Sequence, residues 1–220
     1  MVIASVVLKW FGQACFLLTL SNGTSIAIDP YGPMVGFPIP ELKAQVCLVT
    51  HNHPDHNNIA AVSGNPTIIR TTGTHKAAGI TFYGIPALHY EKPEDSQRGP
   101  DIIFTFQAEG VRFCHLGDLG RLLTPDQIKA IGKVDVLMIP VGGYYTIDAA
   151  EAWKVVDQLK PKVVIPIHYY MPGSKINVLS TVDPFIKGKK NVKHIADGTV
   201  KITASTLPKE MEVWVLERAQ

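Results

Sequence analysis

Short apolar runs separated by glycine, proline and asparagine follow one another along most of this chain, and only a few segments carry the period of an amphipathic helix. Val2 to Trp10, Cys15 to Leu20 and Thr24 to Asp29 read as strands of an antiparallel meander, the last two joined at Ser21-Asn22-Gly23. Pro30 to Pro40 is rich in proline and glycine and reads as a surface loop, the kind of segment that often shapes a pocket. Val46 to Val49 is a buried strand, Asn57 to Ser63 a short helix and Thr67 to Arg70 the next strand. Thr74 to Ala78 reads as a further short helix. Ile80 to Ile85, Ala87 to Tyr90, Ile102 to Phe106 and Val111 to His115 read as strands, with Glu91 to Pro100 a polar loop between them. Thr124-Pro125-Asp126 places a cap and then proline at the first helical position, which predicts a helix through Ile131. Thr146 reads as the cap of a helix to Leu159 with Ile147, Ala150, Trp153 and Val156 on one side. Val134 to Ile139, Lys162 to Ile167, Val200 to Ala204 and Met211 to Leu216 complete the strands, and Val178 to Ile186 is read as helical against the presence of Pro184. Strands at both ends with helices between later strands predict a layered α/β (α+β) fold without internal repeats.

Composition narrows the class. With 220 residues, 46% hydrophobic and 18% charged, the chain is expected to form one domain over residues 1–220 and lies far from the disordered regime. A formal net charge of +2 gives no sign of a nucleic-acid partner, and Lys187-Gly188-Lys189-Lys190 with Lys193 lacks interleaved aromatics and reads as a solvated loop. Cys15, Cys47 and Cys114 lie in or beside apolar runs and read as buried reduced thiols. Met1 to Leu8 is apolar but has no charged leader and reads as a first strand, not a signal peptide. No apolar stretch approaches the roughly 20 residues of a spanning helix, so the expectation is a cytoplasmic protein with no membrane partner. Asn22-Gly23-Thr24 matches a glycosylation sequon, yet a hairpin turn explains it better.

The chemistry concentrates in Thr50-His51-Asn52-His53-Pro54-Asp55-His56, directly after the buried run Val46 to Val49. Pro54 disfavours helix at His53, so the chain is expected to leave the strand extended, with His51 and His53 on one face. Asp55 and His56, past the proline, are expected to open a helix and face a second position. Nitrogen and oxygen donors this close bind a divalent transition metal when the backbone allows it. Later strands end on further donors. His89 closes Ala87 to Tyr90, His168 closes Lys162 to Ile167, and Asp118 follows Phe113-Cys114-His115-Leu116-Gly117. Each has a plainer reading taken alone, a structural histidine or an Asx turn. A carboxylate such as Asp118 can nevertheless bridge two cations.

The order of these donors, His-x-His-x-Asp-His, then His, then Gly-Asp, then a strand-terminal His, resembles that of the metallo-β-lactamase superfamily over most of the chain. It looks closest to the small metal-dependent hydrolases similar to ascorbate-6-phosphate lactonase and, more remotely, to N-acyl-phosphatidylethanolamine phospholipase D. Trp10-Phe11-Gly12-Gln13-Ala14, Ile28-Asp29-Pro30 and Pro140-Val141-Gly142-Gly143-Tyr144-Tyr145-Thr146-Ile147-Asp148 carry that likeness. The resemblance implies a four-layer αββα sandwich. It also implies that His51, His53 and His89 hold one metal ion, that Asp55, His56 and His168 hold a second, and that Asp118 bridges them. The third position is His and the later carboxylate is Asp where true β-lactamases typically carry Cys, which argues against antibiotic hydrolysis. His53 stands where diiron oxygen-reducing relatives have a carboxylate, which argues against a redox role, and Gln13 stands where many relatives of the subgroup carry histidine.

The expected cofactors are two divalent metal ions, zinc best suited and manganese or iron compatible with the same donors. The expected reaction is hydrolysis of a small ester, lactone or phosphate-bearing substrate, with Asp55 as the catalytic carboxylate that orients the attacking hydroxide and shuttles its proton. A phosphodiesterase or nuclease is the alternative, disfavoured by the near-neutral charge and the lack of an RNA-holding arm. A non-catalytic metal-bearing scaffold is disfavoured by the completeness of the donor set. Asp29 either accepts a hydrogen bond from a ligating imidazole or is a plain turn aspartate, and His115 either does likewise or is a satisfied strand-end histidine. Tyr90, Tyr144, Tyr145, Tyr169 and Tyr170 lie beside these donors, as pocket lining or as packing, with Tyr144 and Tyr169 the candidates for substrate contact. Gly142-Gly143 either lets a ligand approach the backbone or forms a turn. A homo-oligomer with Pro30 to Pro40 at the contact is compatible with the sequence.

Overall fold

Alternation of inward and outward residues decides how the first strands pack. In the computed structural model, which describes residues 4–90 and 92–220, β1 (Val6–Trp10), β2 (Phe16–Leu20) and β3 (Ser25–Ile28) form the antiparallel meander. Residues 2 and 3 of the expected first strand, and Glu91 of the expected loop, lie outside the described residues. Asn22-Gly23 does make the hairpin turn, with Gly23 at φ 85° and its amide donating to Leu20 O. Val6, Leu8, Trp10, Phe16, Leu18, Ile26 and Ile28 point into the main core, and Cys15 and Ala27 point to the opposite face. That opposite face is therefore apolar too and needs its own cover.

The cover comes from loops. β4 (Leu42–Lys43), β5 (Val46–Leu48), β6 (Val62–Ser63) and β7 (Thr67–Ile69) follow, and β5 and β7 extend the meander as parallel strands. Tyr31, Val35 and Phe37 from the proline-rich loop pack over Cys15, Ala27 and Cys47, joined by Leu42, Val62, Ile176 and Leu179. Asn57 to Ser63 is not the expected helix. Its Asn58 makes no side-chain cap and its amide donates instead to Tyr31 O at 2.9 Å, so only a 3-10 turn, Ile59–Ala61, forms before β6 pairs with β4.

β8 (Gly73–Ala77), β9 (Ile80–Leu88), β10 (Pro100–Ala108) and β11 (Val111–His115) build the antiparallel half of a second sheet. Thr74 to Ala78 was expected as helix and is strand, because Ala78 (φ 48°) and Gly79 (φ 76°) are both left-handed and reverse the chain into a hairpin. β9 runs unbroken through Pro86, which lies beyond its pairing with β8, so its missing N–H interrupts no ladder there. A 3-10 turn, Pro93–Arg98, occupies the expected polar loop.

α1 (Pro125–Ile131), β12 (Val136–Pro140), α2 (Ala149–Leu159), β13 (Val163–Ile167) and α3 (Asp183–Ile186) alternate, and β14 (Val192–Ile195), β15 (Thr199–Ile202) and β16 (Glu212–Leu216) end the chain. α1 starts as the sequence predicts, with Thr124 and Gln127 forming a capping box. α2 starts later than expected. Thr146 spends its hydroxyl on Ile147 O, while Asp148 Oδ1 accepts from Ala150 N and Glu151 N, both at 2.9 Å. The helix consequently turns Ala152, Val155, Val156 and Leu159 inward and leaves Ala150 exposed. Pro184 confines helix in the Val178 to Ile186 stretch to α3, whose Phe185 stacks on Trp153 at 4.7 Å.

The strand order is β15-β1-β2-β3-β5-β7 in one sheet and β14-β16-β13-β12-β11-β10-β9-β8 in the other. The sheets share one continuous apolar core that also takes in Ile131, Val156 and Phe185 of the helices, giving the expected layered sandwich with its α-helices on the side of the larger sheet. Loops and 3-10 turns supply its layer over the smaller sheet. Among the described residues no helix is long and apolar enough to cross a membrane. Asp148→Ala should cost about 1 kcal/mol in urea unfolding by removing the α2 cap, whereas Thr146→Ala should stay within about 0.5 kcal/mol of the parent.

Candidate metal centre

Four elements run out at one end of the sandwich and deliver the donors. After β5, Val49 N still donates to Ile69 O, and then Thr50 leaves the sheet with its amide and hydroxyl bonded to Asp29 Oδ1 and Oδ2 at 2.8 and 2.9 Å. The next residues are bends and turns, not the extended segment and helix start expected. The amides of His56 and Asn57 both return to His53 O, at 2.9 and 3.0 Å. This compact turn brings the His51 and His53 rings to 4.6 Å and those of His51 and His56 to 4.2 Å. His89 follows β9, Asp118 follows β11 and His168 follows β13.

Two groups result. His51, His53 and His89 each offer a donor atom within 4.8 Å of the others, and Asp55, His56, Asp118 and His168 do the same. Asp118 lies against both, its Oδ2 at 3.1 Å from His89 Nε2 and from His168 Nε2 and its Oδ1 at 3.2 Å from His56 Nε2. The donors assigned to a metal from the sequence are thus gathered.

Behind them stands a buried carboxylate shell. Asp29 Oδ2 accepts from His56 Nδ1 at 3.0 Å and from His115 Nε2 at 2.9 Å, so Asp29 is bonded to one imidazole of the donor groups and to one outside them. His115 supports Asp29 and touches neither donor group directly. Thr50 Oγ1 gives its proton to Asp29 and so accepts from His51 Nδ1 at 3.0 Å, which leaves the lone pair of His51 on Nε2. Asp101 went unnoticed in the sequence. It is buried at the start of a strand, 3.4 Å from His51 Nδ1, and an aspartate before an apolar run carries no distinguishing signal. Gln13 has a definite place as well, donating from Nε2 to Asp55 Oδ2 at 2.8 Å while its carbonyl accepts from His168 N.

Three of these residues hold left-handed backbone, Gln13 at φ 51°, Asp29 at 45° and His168 at 50°. Such conformations cost about 1–2 kcal/mol each for a residue with a side chain and cluster where geometry serves a site. Gly142 serves His168 differently: a Cβ there would lie 2.2 Å from His168 O, so the glycine is needed for backbone packing and not for approach of a ligand.

The charges fit a cation. Burial favours neutral forms, but His168, His56 and His89 around Asp118 hold its carboxyl well below the usual range, and His56 and His168 do so for Asp55. In return, although burial opposes it, Asp118, Asp55 and Asp29 raise His56 well above its ordinary value, and Asp118 with Asp55 pushes His168 up to about 9. His53 is lowered by burial and by the neighbouring imidazoles of His51 and His89. His51 Nε2, His56 Nε2 and Asp118 Oδ1 are buried at the centre without a hydrogen-bond partner. Orphaned donor atoms converging among held carboxylates are what a divalent ion satisfies.

A cavity of about 610 Å³ opens onto Asp55, His89, Asp118 and His168, rimmed by Met34, Tyr144, Tyr145 and Ile176. Tyr144 is 64% exposed and stands at this mouth. Tyr169, a candidate for substrate contact, is instead buried against Trp10 with ring centroids 5.5 Å apart, because it follows the left-handed His168 into the core.

Fold and donor cluster are together those of a metal-dependent hydrolase. The family described as beta-lactamase superfamily domain matches residues 7–168, and the chain belongs to the beta-lactamase superfamily. A UPF0173 metal-dependent hydrolase of Archaeoglobus fulgidus is 32% identical over 192 residues, 74% of this chain and 82% of that one. A crystal structure from Thermotoga maritima, described as that of a candidate Zn-dependent hydrolase of the metallo-beta-lactamase superfamily, superimposes with TM-score 0.79. It shares 37% identity, with 96% of this chain and 98% of that one covered. Igni18, a metallo hydrolase from Ignicoccus hospitalis, shares the fold at TM-score 0.68 and 22% identity, covering 98% of this chain and 97% of its own.

Asp118 and Asp55 favour the protonated forms of His56 and His168, so metal binding at this cluster should compete with protons. Titration calorimetry in buffers of different ionisation heat should detect proton release on metal binding at neutral pH. Affinity should rise with pH until His168 deprotonates near 9. Asp29→Asn should weaken metal binding by about 10–100-fold in a chelator competition.

Proposed function

We propose that the chain hydrolyses a small ester, lactone or phosphate-bearing substrate. His51, His53 and His89 would hold one divalent ion, Asp55, His56 and His168 a second, and Asp118 both. The observation that carries this reading is Asp118, whose two oxygens lie within 3.2 Å of imidazoles from both donor groups. The imidazole-rich set with oxygen donors suits zinc, and manganese or iron fit the same donors. Bound ions of this kind lower the pKa of water and polarise a carbonyl or phosphoryl oxygen.

The chain's own contribution is orientation. Asp55 would be the catalytic carboxylate: held ionised in spite of burial, it would accept a hydrogen bond from the attacking water, orient it and shuttle its proton. Gln13 fixes the Asp55 carboxylate through Oδ2, and the Asp29 shell fixes the imidazoles. The cavity has the size of a small-molecule site, and Met34, Tyr144, Tyr145 and Ile176 give part of its lining an apolar or aromatic character. This favours a compact substrate such as a lactone, in line with the resemblance to ascorbate-6-phosphate lactonase. Buried unpaired Cys15, Cys47 and Cys114 favour a reducing, cytoplasmic compartment, and the net charge of +2 disfavours nucleic acid. A single domain over residues 1–220 would suffice for this activity.

Metal analysis combined with turnover of bis(p-nitrophenyl) phosphate and of a γ-lactone, before and after chelation, tests the reading. The expected result is about two ions per chain and chelator-sensitive hydrolysis that Asp55→Asn lowers by about 10²–10⁴-fold. Absence of metal after incubation with zinc or manganese would overturn it. Hydrolysis of the phosphodiester alone would move the assignment to the phosphodiesterase class.

A further inference from the structure

A second cavity, of about 490 Å³, lies on the other side of His53 and His51. His53 and Arg98 line both this space and the cavity over Asp55 and Asp118, so the two adjoin through a common wall. Its lining includes Arg70, Arg98, Asn52 and Asn57, and no carboxylate among the described residues. Arg70 and Arg98 therefore both border one small space with no acidic residue lining it, the Arg98 guanidinium reaching from the adjoining cavity, where Asp95 and Tyr145 lie.

Arg98 is built into place. Its Nη1 donates to Tyr145 O at 3.3 Å, its Nη2 pairs with Asp95 Oδ1 at 3.2 Å, and the group lies over the Tyr145 ring at 5.5 Å. Those contacts use only part of a five-donor fork, and the i,i+3 pair with Asp95, partly open to solvent, leaves donors for a competing oxyanion. Arg70, exposed just past β7, has no ion pair and no hydrogen bond among the described residues. Asn52, also exposed, adds amide donors.

We propose that this cavity is an anion subsite, in which Arg70 and Arg98 bind a carboxylate or phosphate group of the substrate remote from the bond that is hydrolysed. The inference rests on the hydrolase reading above and narrows its substrate class to compounds with two functional ends. The reacting ester, lactone or phosphoryl group sits over Asp55 and Asp118. The oxyanion passes beside His53 to the two arginines. Arginine forks suit planar carboxylate and phosphate oxygens alike.

The test begins with chelator-treated protein, so that an added anion has no metal to coordinate. Inorganic phosphate and glutarate are titrated calorimetrically into the parent, Arg98→Gln, Arg70→Gln and, as a remote basic control, Lys187→Gln. Either arginine substitution should weaken binding about tenfold or more, and Lys187→Gln should leave it unchanged. Arg70 lines this cavity and not the one over Asp55 and Asp118, and it is exposed with no hydrogen bond or ion pair among the described residues, so its variant should keep the fold and separates this subsite from the histidine cluster. Tighter phosphate than glutarate binding assigns a phosphate end, and the reverse assigns a carboxylate end. No binding of either anion, or equal binding by parent and Arg70→Gln, overturns the subsite.

Zinc-loaded protein is then given p-nitrophenyl acetate and mono-p-nitrophenyl glutarate. Preference for the glutarate ester should fall about tenfold or more in Arg70→Gln. Arginine-dependent anion binding without hydrolysis of any ester would leave the subsite standing and remove the hydrolase reading. Hydrolysis with no preference for the anionic ester would do the opposite.

Discussion

Asp29 holds the two sheets in register where the donors gather. It follows β3 of the smaller sheet, takes both polar protons of Thr50 from the end of β5, and accepts from His56 beyond that strand and from His115 at the end of β11 in the larger sheet. An ionised carboxylate with no exposure is tolerated only when its oxygens are fully engaged. The requirement runs both ways: Asp29 must be satisfied by these groups, and they are aimed by having to satisfy it. Thr50 relays the same constraint to His51, so two donors from one short loop are oriented by a single buried charge.

Around that anchor the site is an assembly of charges, each tolerable only because of the others. Asp118 and Asp55 stay ionised in the core because imidazoles surround them, and the same carboxylates raise His56 and His168 in return. The centre still keeps buried donor atoms without partners, His51 Nε2, His56 Nε2 and Asp118 Oδ1 among them. A metal ion at the cluster would meet that deficit.

The donors were legible in the sequence because they crowd one loop or end apolar strands, both of which can be seen without a structure. Their support was less so. Asp101 is a lone acidic residue before a strand, and Gln13 reaches Asp55 from a turn 42 residues away, a contact that only the packed meander creates. The strands of the meander were readable from alternation, whereas Thr74 to Ala78 was misread because its turn depends on a left-handed alanine. Asp148 displaced Thr146 as helix cap because Glu151 three residues on completes the reciprocal pair. Tyr169, adjacent to a donor in the sequence, turns into the core because His168 reverses the local backbone. In each case local side-chain chemistry was visible and the backbone direction was not.

The left-handed backbone of Gln13, Asp29 and His168 sets backbone strain against side-chain bonding at the same three positions. Glycine would relieve about 1 kcal/mol of conformational cost at each. It would also strip Thr50, His56 and His115 of the carboxylate they bond, Asp55 of its amide donor and Asp118 of an imidazole, which costs more in a buried setting. The side chains gathered at the cluster are therefore what holds three unfavourable turns in place, and the shape of the backbone there is a product of the site's bonding.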